Sequence, residues 1–239
     1  MPVASLKRPL AALAALAVVG TLSACSDDEP DRAVDASPAD SAESTPPSSP
    51  SAGTGVSCDY LPDGTQDGPE LPPTEATVSG TVKATLATSA GDLAATLDAD
   101  AAPCTVGSFV SLAEQGFFDD TPCHRLTTAG IYVLQCGDPT GTGMGGPGYT
   151  IPDEVTGEET YPAGTLAMAN TGSPNTGGSQ FFIVYEDVDG ALPPTYTAFG
   201  TISAKSLRDV RAVAEDGVEG GGQDGPPATP VEISSVTVR

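Results

Sequence analysis

Arg125 is the side chain in this 239-residue sequence best suited to act on a ligand, because it carries a fork of donors next to an apolar run, Ile131-Tyr132-Val133-Leu134, that ends in Gln135. A guanidinium is charged at any ordinary pH and presents five N–H groups, and an amide beside it can hold the fork in place. Alternation in the run places the cation and the amide on two adjacent strand-like segments. Such a site suits an uncharged amide ligand. Its second half is assigned to Ala169-Asn170-Thr171 and Gln180-Phe181-Phe182.

Other chemistries fall away on inspection. Gly141-Thr142-Gly143-Met144-Gly145-Gly146 fits a dinucleotide fingerprint letter for letter, but Pro147-Gly148 follows where that fold needs a helix. Cys123 and His124 are adjacent, and neighbours on a strand point to opposite faces, so they do not form a thiol–imidazole dyad. His124 reads as a structural side chain bonded to nearby backbone. With a single His and no C-x-x-C pair, no metal site is expected, and no cofactor either. The chain has 9 basic and 32 acidic residues, a formal charge of −23. No basic stripe exists to meet phosphates, so nucleic acid is excluded as a partner.

The elements that position these residues occupy the last two thirds of the chain. Lys7-Arg8, an Ala/Leu/Val-rich run from Pro9 to Gly20 and Leu22-Ser23-Ala24 read as a signal peptide over 1–24, too short to remain as a membrane span. Its end resembles the lipobox of bacterial lipoproteins, which makes Cys25 the expected lipidation site and the outer face of the cytoplasmic membrane the expected location. Residues 25–57, rich in Asp, Ser and Pro and poor in large apolar side chains, read as a disordered tether with a reach of about 30 Å. Residues 58–78 form an N-terminal arm, and 79–239 one folded domain, expected as a monomer. Four further cysteines, Cys58, Cys104, Cys123 and Cys136, suit two disulfides in an exported chain, with three connectivities open. Cys123 and Cys136 flank the hairpin that bears Arg125 and Gln135, which favours their pairing and leaves Cys58 for Cys104.

Val82, Ala84 and Leu86 alternate, Ser89 to Asp92 turn, and Leu93, Ala95 and Leu97 alternate again, which predicts a β-hairpin. Helical spacing predicts one helix after Pro103, stopped at Gly116, and a second from Ser206 to Glu215. The β-branched segment Val231 to Val238 predicts a last strand. Few helices, short strands and many Gly/Pro turns predict a mainly β antiparallel barrel or sandwich.

Six colinear words give this pattern a family resemblance: His124-Arg125, Gln135-Cys136-Gly137-Asp138-Pro139, Gly143-Met144-Gly145-Gly146, the stretch Gly164 to Asn170, the stretch Gly177 to Ile183, and Ala198-Phe199-Gly200. Over roughly Thr81 to Arg239 the chain resembles the cyclophilin family of peptidyl-prolyl cis-trans isomerases. The resemblance implies a closed eight-stranded antiparallel barrel capped by two α-helices, proline-containing segments of exported proteins as partners, and Arg125 as the catalytic residue. It implies an apolar proline pocket of Tyr132, Val133, Phe182 and Leu192, closed by Tyr196 where many members have His. Gln135 would orient Arg125, Asn170 would pair with the peptide backbone, and Ala169, Thr171, Gln180 and Gly143 would line the neighbouring groove. Two extra residues separate Arg125 from Gln135. Choosing Tyr132 over Ile131 for the pocket places that insertion within Thr127 to Gly130. A non-catalytic proline-peptide binding module on the same barrel is the alternative reading.

Overall fold

Alternation of small apolar and polar residues makes the first long hairpin of the fold, and everything else is added around it. The computed structural model describes residues 55–65, 68–188 and 190–239. The signal peptide, Cys25 and nearly all of the tether lie outside the described residues. In chain order the strands and helices are β1 (Leu61–Pro62), β2 (Thr81–Thr88), β3 (Gly91–Asp98), α1 (Pro103–Glu114), β4 (Thr121–Pro122), β5 (Arg125–Thr127), β6 (Val133–Cys136), β7 (Tyr149–Thr150), β8 (Thr165–Met168), β9 (Phe181–Val184), β10 (Ala198–Ile202), α2 (Ala204–Glu215), β11 (Asp224–Gly225) and β12 (Glu232–Val238).

The hairpin pairs Thr88 with Gly91 across a two-residue turn, with Gly91 at φ 110°, a conformation that a side chain disfavours. Leu86, Leu93 and Leu97 project from it into the core at 1% exposure or less. Ten strands join in one antiparallel sheet in the order β11-β5-β6-β9-β8-β10-β3-β2-β12-β4, and β1 pairs with β7 in a separate ribbon. The expected eight-stranded closed barrel therefore takes the form of a curled, mainly β sheet of ten strands, some only two residues long, with two α-helices among the described residues. β4 and β5 are separated by only Cys123 and His124, yet β4 pairs with β12 and β5 with β6 and β11.

Both helices start where the sequence predicts, within two residues, and their caps explain why. In α1 Pro103 stands at the first turn, and the Glu154 carboxylate accepts the backbone N–H groups of Cys104 and Thr105, both at 2.8 Å, so a distant loop supplies the cap. Gly116 at φ 69° ends the turn that follows. Ser203 caps α2 by accepting from the N–H of Ser206. Helix α1 brings Phe109 onto Phe118, Phe181 and Phe199, with ring centroids 5.0 to 5.6 Å apart. That aromatic group fixes β9 and β10 against the helix, and β9 carries part of the site.

The arm is tied down at several points. Cys58 is joined to Cys104 by a disulfide, while a second disulfide, Cys123 to Cys136, lies within the domain. Tyr60 donates to the Cys104 carbonyl at 2.9 Å and meets Tyr149 edge to face. Leu61 and Pro62 are in register with Thr150 and Tyr149.

Candidate active site

Strand register assembles the site. Arg125 on β5 faces Gln135 on β6, and Gln135 faces Phe182 on β9, so the three side chains form one row across three strands. The residues between them turn the other way: Leu126, Leu134 and Ile183 are all buried in the main core. The row stands on the outer face, over a small second apolar cluster that contains Val133, Phe182, Val184 and Leu192.

Arg125 is held on two sides. Its Nε and Nη2 both donate to Asp224, to Oδ1 and Oδ2 respectively, each at 2.7 Å, and its Nη1 donates to Gln135 Oε1 at 3.3 Å. Gln135 Nε2 donates to Gln180 Oε1 at 2.8 Å, and Gln180 Nε2 donates to the carbonyls of Gly143 and Gly145. One chain of hydrogen bonds thus runs from Asp224 to the 143–145 loop. The ion pair raises the Arg125 pKa and holds the Asp224 carboxyl below the usual carboxylate range, the direct hydrogen bond being the main cause in both.

The loop has its own anchor. Asp138, fully buried, accepts from Thr140 N at 2.7 Å, Thr140 Oγ1 at 2.8 Å and Gly143 N at 2.6 Å. Burial pushes its carboxyl up, but these bonds and the Gly145 N–H outweigh burial and keep it ionised. A Cβ at Gly145 would overlap Asp138 Oδ1, so this position requires glycine. His124 lies under Gly143, and neither of its ring nitrogens has a hydrogen-bond partner. The expected bond from His124 to backbone is not made. Burial, the largest effect, lowers its pKa, with Asp138 opposing and Arg125 reinforcing.

Two cavities adjoin the row. The first, ≈ 130 Å³, is bordered by Arg125 and Gln135 on its polar side and by Ile131, Val133, Phe182, Leu192 and Tyr196 on its apolar side. The Tyr196 ring stands edge-on to Phe182, at 5.3 Å. Tyr132 does not line this cavity. It packs edge to face on Tyr185, and Ile131 takes the place expected for it. Ile131 and Tyr132 are chain neighbours with opposed side chains, so a one-residue difference in where the insertion is absorbed exchanges them. Ala129 and Ile131 form an isolated bridge around Gly130, a tight turn at the entry to this segment.

The second cavity, ≈ 530 Å³, shares Gln135, Ala169 and Asn170 with the first and extends along Gly143, Thr171 and Gln180. Gly143, Ala169, Thr171 and Gln180 thus border one cavity. Asn170 has its side chain engaged, donating to the Thr195 carbonyl and accepting from the Gly172 N–H. Sequence reasoning missed Asp224, which lies 99 residues from Arg125 in a Gly-rich stretch whose composition signals only a turn.

Residues 83–238 match the family described as cyclophilin type peptidyl-prolyl cis-trans isomerase/CLD. The chain belongs to the cyclophilin family. It is 46% identical over 203 residues to a probable peptidyl-prolyl cis-trans isomerase B of Mycobacterium leprae, an alignment covering 78% of this chain and 68% of that one. It is 48% identical over 203 residues to the protein of the same description in Mycobacterium tuberculosis, covering 78% of this chain and 65% of that relative. Among solved structures it is similar to a cyclophilin type peptidyl-prolyl cis-trans isomerase of Cryptosporidium parvum, with TM-score 0.59, 28% identity, and coverage of 66% of this chain and 98% of that one. A second structure of that cyclophilin, obtained in the presence of the dipeptide Ala-Pro, matches with TM-score 0.57. The chain is thus an isomerase by class, and the arm before residue 83 precedes the stretch that the family model matches.

Proposed function

We propose that the chain accelerates cis–trans isomerisation of X-Pro bonds in exported proteins, with the proline ring in the ≈ 130 Å³ cavity and Arg125 acting on the imide nitrogen. The observation that carries this reading is a count of donors. Arg125 has five N–H groups and spends three on Asp224 and Gln135. Two remain, one on Nη1 and one on Nη2, and Arg125 itself borders the cavity.

Resonance sets the barrier to rotation about an X-Pro bond at ~18–20 kcal/mol. In the twisted transition state the nitrogen becomes pyramidal and recovers a lone pair that the planar ground state lacks. An N–H aimed at that lone pair binds the transition state alone, which is what acceleration requires. A 10⁵-fold effect requires about 7 kcal/mol. One charge-assisted hydrogen bond contributes about 1.5–3 kcal/mol, so apolar enclosure by Val133, Phe182 and Leu192 and positioning by the 169–171 segment supply the rest. The chemistry uses no general acid, base, nucleophile or cofactor.

The curled sheet reads as a closed barrel when Thr121 to Thr127 is taken as one bent strand, because its first half pairs with β12 and its second with β6. Export with a lipid on Cys25 is supported by Lys7-Arg8, the apolar run and Leu22-Ser23-Ala24-Cys25, and two disulfides suit an oxidising compartment. Mass spectrometry of the membrane fraction tests this, and an unmodified amino terminus beginning after residue 25 would end it. The enzymatic reading is tested by exchange NMR on a short Ala-Pro-Phe peptide with the full chain. Faster cis–trans exchange supports it, and binding without any acceleration leaves only a proline-peptide binding module.

A further inference from the structure

The larger cavity has one charged wall, and that wall comes from the arm, ahead of the stretch that the family model matches. Asp63 lies in the arm just after β1, and among the described residues that line the cavity it alone carries a charge. Its neighbours there are glycine, threonine, serine, amide and aromatic groups, with Met144 the one long apolar side chain. Met144 is 89% exposed, and its thioether chain therefore offers apolar surface at the cavity.

The arm holds Asp63 in place. The Cys58–Cys104 disulfide and the β1–β7 pairing fix the backbone before it, and its own N–H donates to the Gly148 carbonyl at 2.9 Å. The Thr65 N–H donates to Asp63 Oδ1 at 2.8 Å, and bonds from the Thr65 hydroxyl and N–H keep the carboxyl below its ordinary pKa, hence ionised. Arg125, Lys205 and Arg211 form the ion pairs among the described residues, and none of them pairs with Asp63. The carboxylate therefore carries a charge no basic side chain compensates. Arg125, whose charge Asp224 neutralises, does not oppose it.

We propose that Asp63 is a specificity residue, selecting peptides in which a residue near the proline bears a Lys or Arg side chain. A Lys or Arg side chain has the two parts that the wall calls for: an aliphatic stem to lie along Met144 and a cationic head to reach the carboxylate. Gln135, Ala169 and Asn170 border both cavities, so a peptide whose proline sits beside Phe182 runs directly into this one. The inference rests on the proposed isomerase reading for its register, but the arm and its charge are independent of catalysis. An exposed carboxylate attracts cations over a distance set by salt, so the preference weakens at high ionic strength.

The test uses the full chain and proline peptides carrying Lys, Ala or Glu at each of the three residues before and two after the proline. Both kcat/KM and affinity, the latter by fluorescence anisotropy, are measured for wild type, Asp63→Asn and Asp63→Lys. At one position the wild type prefers Lys over Glu by about threefold at low salt, as expected for an exposed ion pair. Asp63→Asn removes the preference and Asp63→Lys reverses it. A Lys/Glu ratio near one in the wild type, or one unchanged in both variants, overturns the proposal. A chain that turns over no peptide yet shows the Asp63-dependent ratio in affinity keeps the proposal and removes the isomerase reading.

Discussion

Arg125 and Asp224 share two parallel hydrogen bonds of 2.7 Å, so the guanidinium plane is set by a carboxylate from a strand only two residues long. Both side chains are partly open to solvent, at 38% and 57% exposure. The pair therefore contributes little to stability, on the order of 0–1 kcal/mol. Its contribution is to orientation, and small misplacements of a catalytic group are costly. Asp224→Ala is expected to lower kcat/KM by about tenfold with a melting temperature close to wild type, and Asp224→Asn to recover part of the loss. Because Arg125 depresses the Asp224 pKa, the clamp is complete above the ordinary Asp pKa of about 3.9 and is lost as pH falls through the lower folded value. Activity of protein confirmed folded, followed from pH 6 to pH 3, checks the sign: it stays level above about 3.9 and falls only below it.

The Cys123–Cys136 disulfide closes the hairpin that carries Arg125 and Gln135, with its Cα atoms 3.9 Å apart. Replacing both cysteines by Ser is expected to cost about 3 kcal/mol, and the same change at Cys58 and Cys104, whose loop is longer, about 4 kcal/mol on the chain-entropy account. Denaturant unfolding reads both. Only the first pair borders Arg125, so only its loss is expected to lower kcat/KM toward an uncharged peptide at temperatures where the variant is folded.

His124 gives the fold a pH dependence of its own. Burial holds its folded pKa below the ordinary value of about 6.5. Above that value both folded and unfolded forms are neutral, and the full stability is present. As pH falls below about 6.5 the unfolded chain takes up a proton that the native chain resists, and stability drops until the folded pKa is reached. Thermal melts between pH 8 and pH 5 are expected to show a smaller loss in His124→Leu than in wild type, and equal losses would contradict the assignment.

Much of this architecture was legible in residue patterns. The β2–β3 hairpin follows from alternation, the helices from apolar spacing, an opening proline and glycine stops, and the favoured disulfide partners from their places around one hairpin. What was not legible required three dimensions. Seven of the ten strands of the sheet have five residues or fewer, two of them dipeptides, and leave no periodicity to read. Asp224 reaches Arg125 only through the pairing of β11 with β5, Asp63 reaches the groove only through the arm, and the Glu154 cap joins α1 to a loop 50 residues away.

The exchange of Ile131 for Tyr132 has a direct consequence. Ile131→Ala opens the proline cavity and is expected to lower kcat/KM severalfold with little change in fold, since it borders that cavity. Tyr132→Ala removes the contact with Tyr185 and is expected to lower stability more than catalysis. Reversed results would restore Tyr132 to the pocket.

Arg125 itself decides the account. Prolyl isomerisation of an Ala-Pro-Phe peptide is measured for wild type, Arg125→Lys and Arg125→Ala, with circular dichroism to confirm folding and anisotropy to follow peptide affinity. A guanidinium aimed at the twisted imide nitrogen predicts that Arg125→Ala loses on the order of 10²–10³-fold in kcat/KM while peptide affinity changes little. Arg125→Lys keeps the charge without the planar fork that Asp224 and Gln135 grip, and is expected to recover only a small part of that loss. A folded Arg125→Ala protein that isomerises the peptide at the wild-type rate would contradict the mechanism.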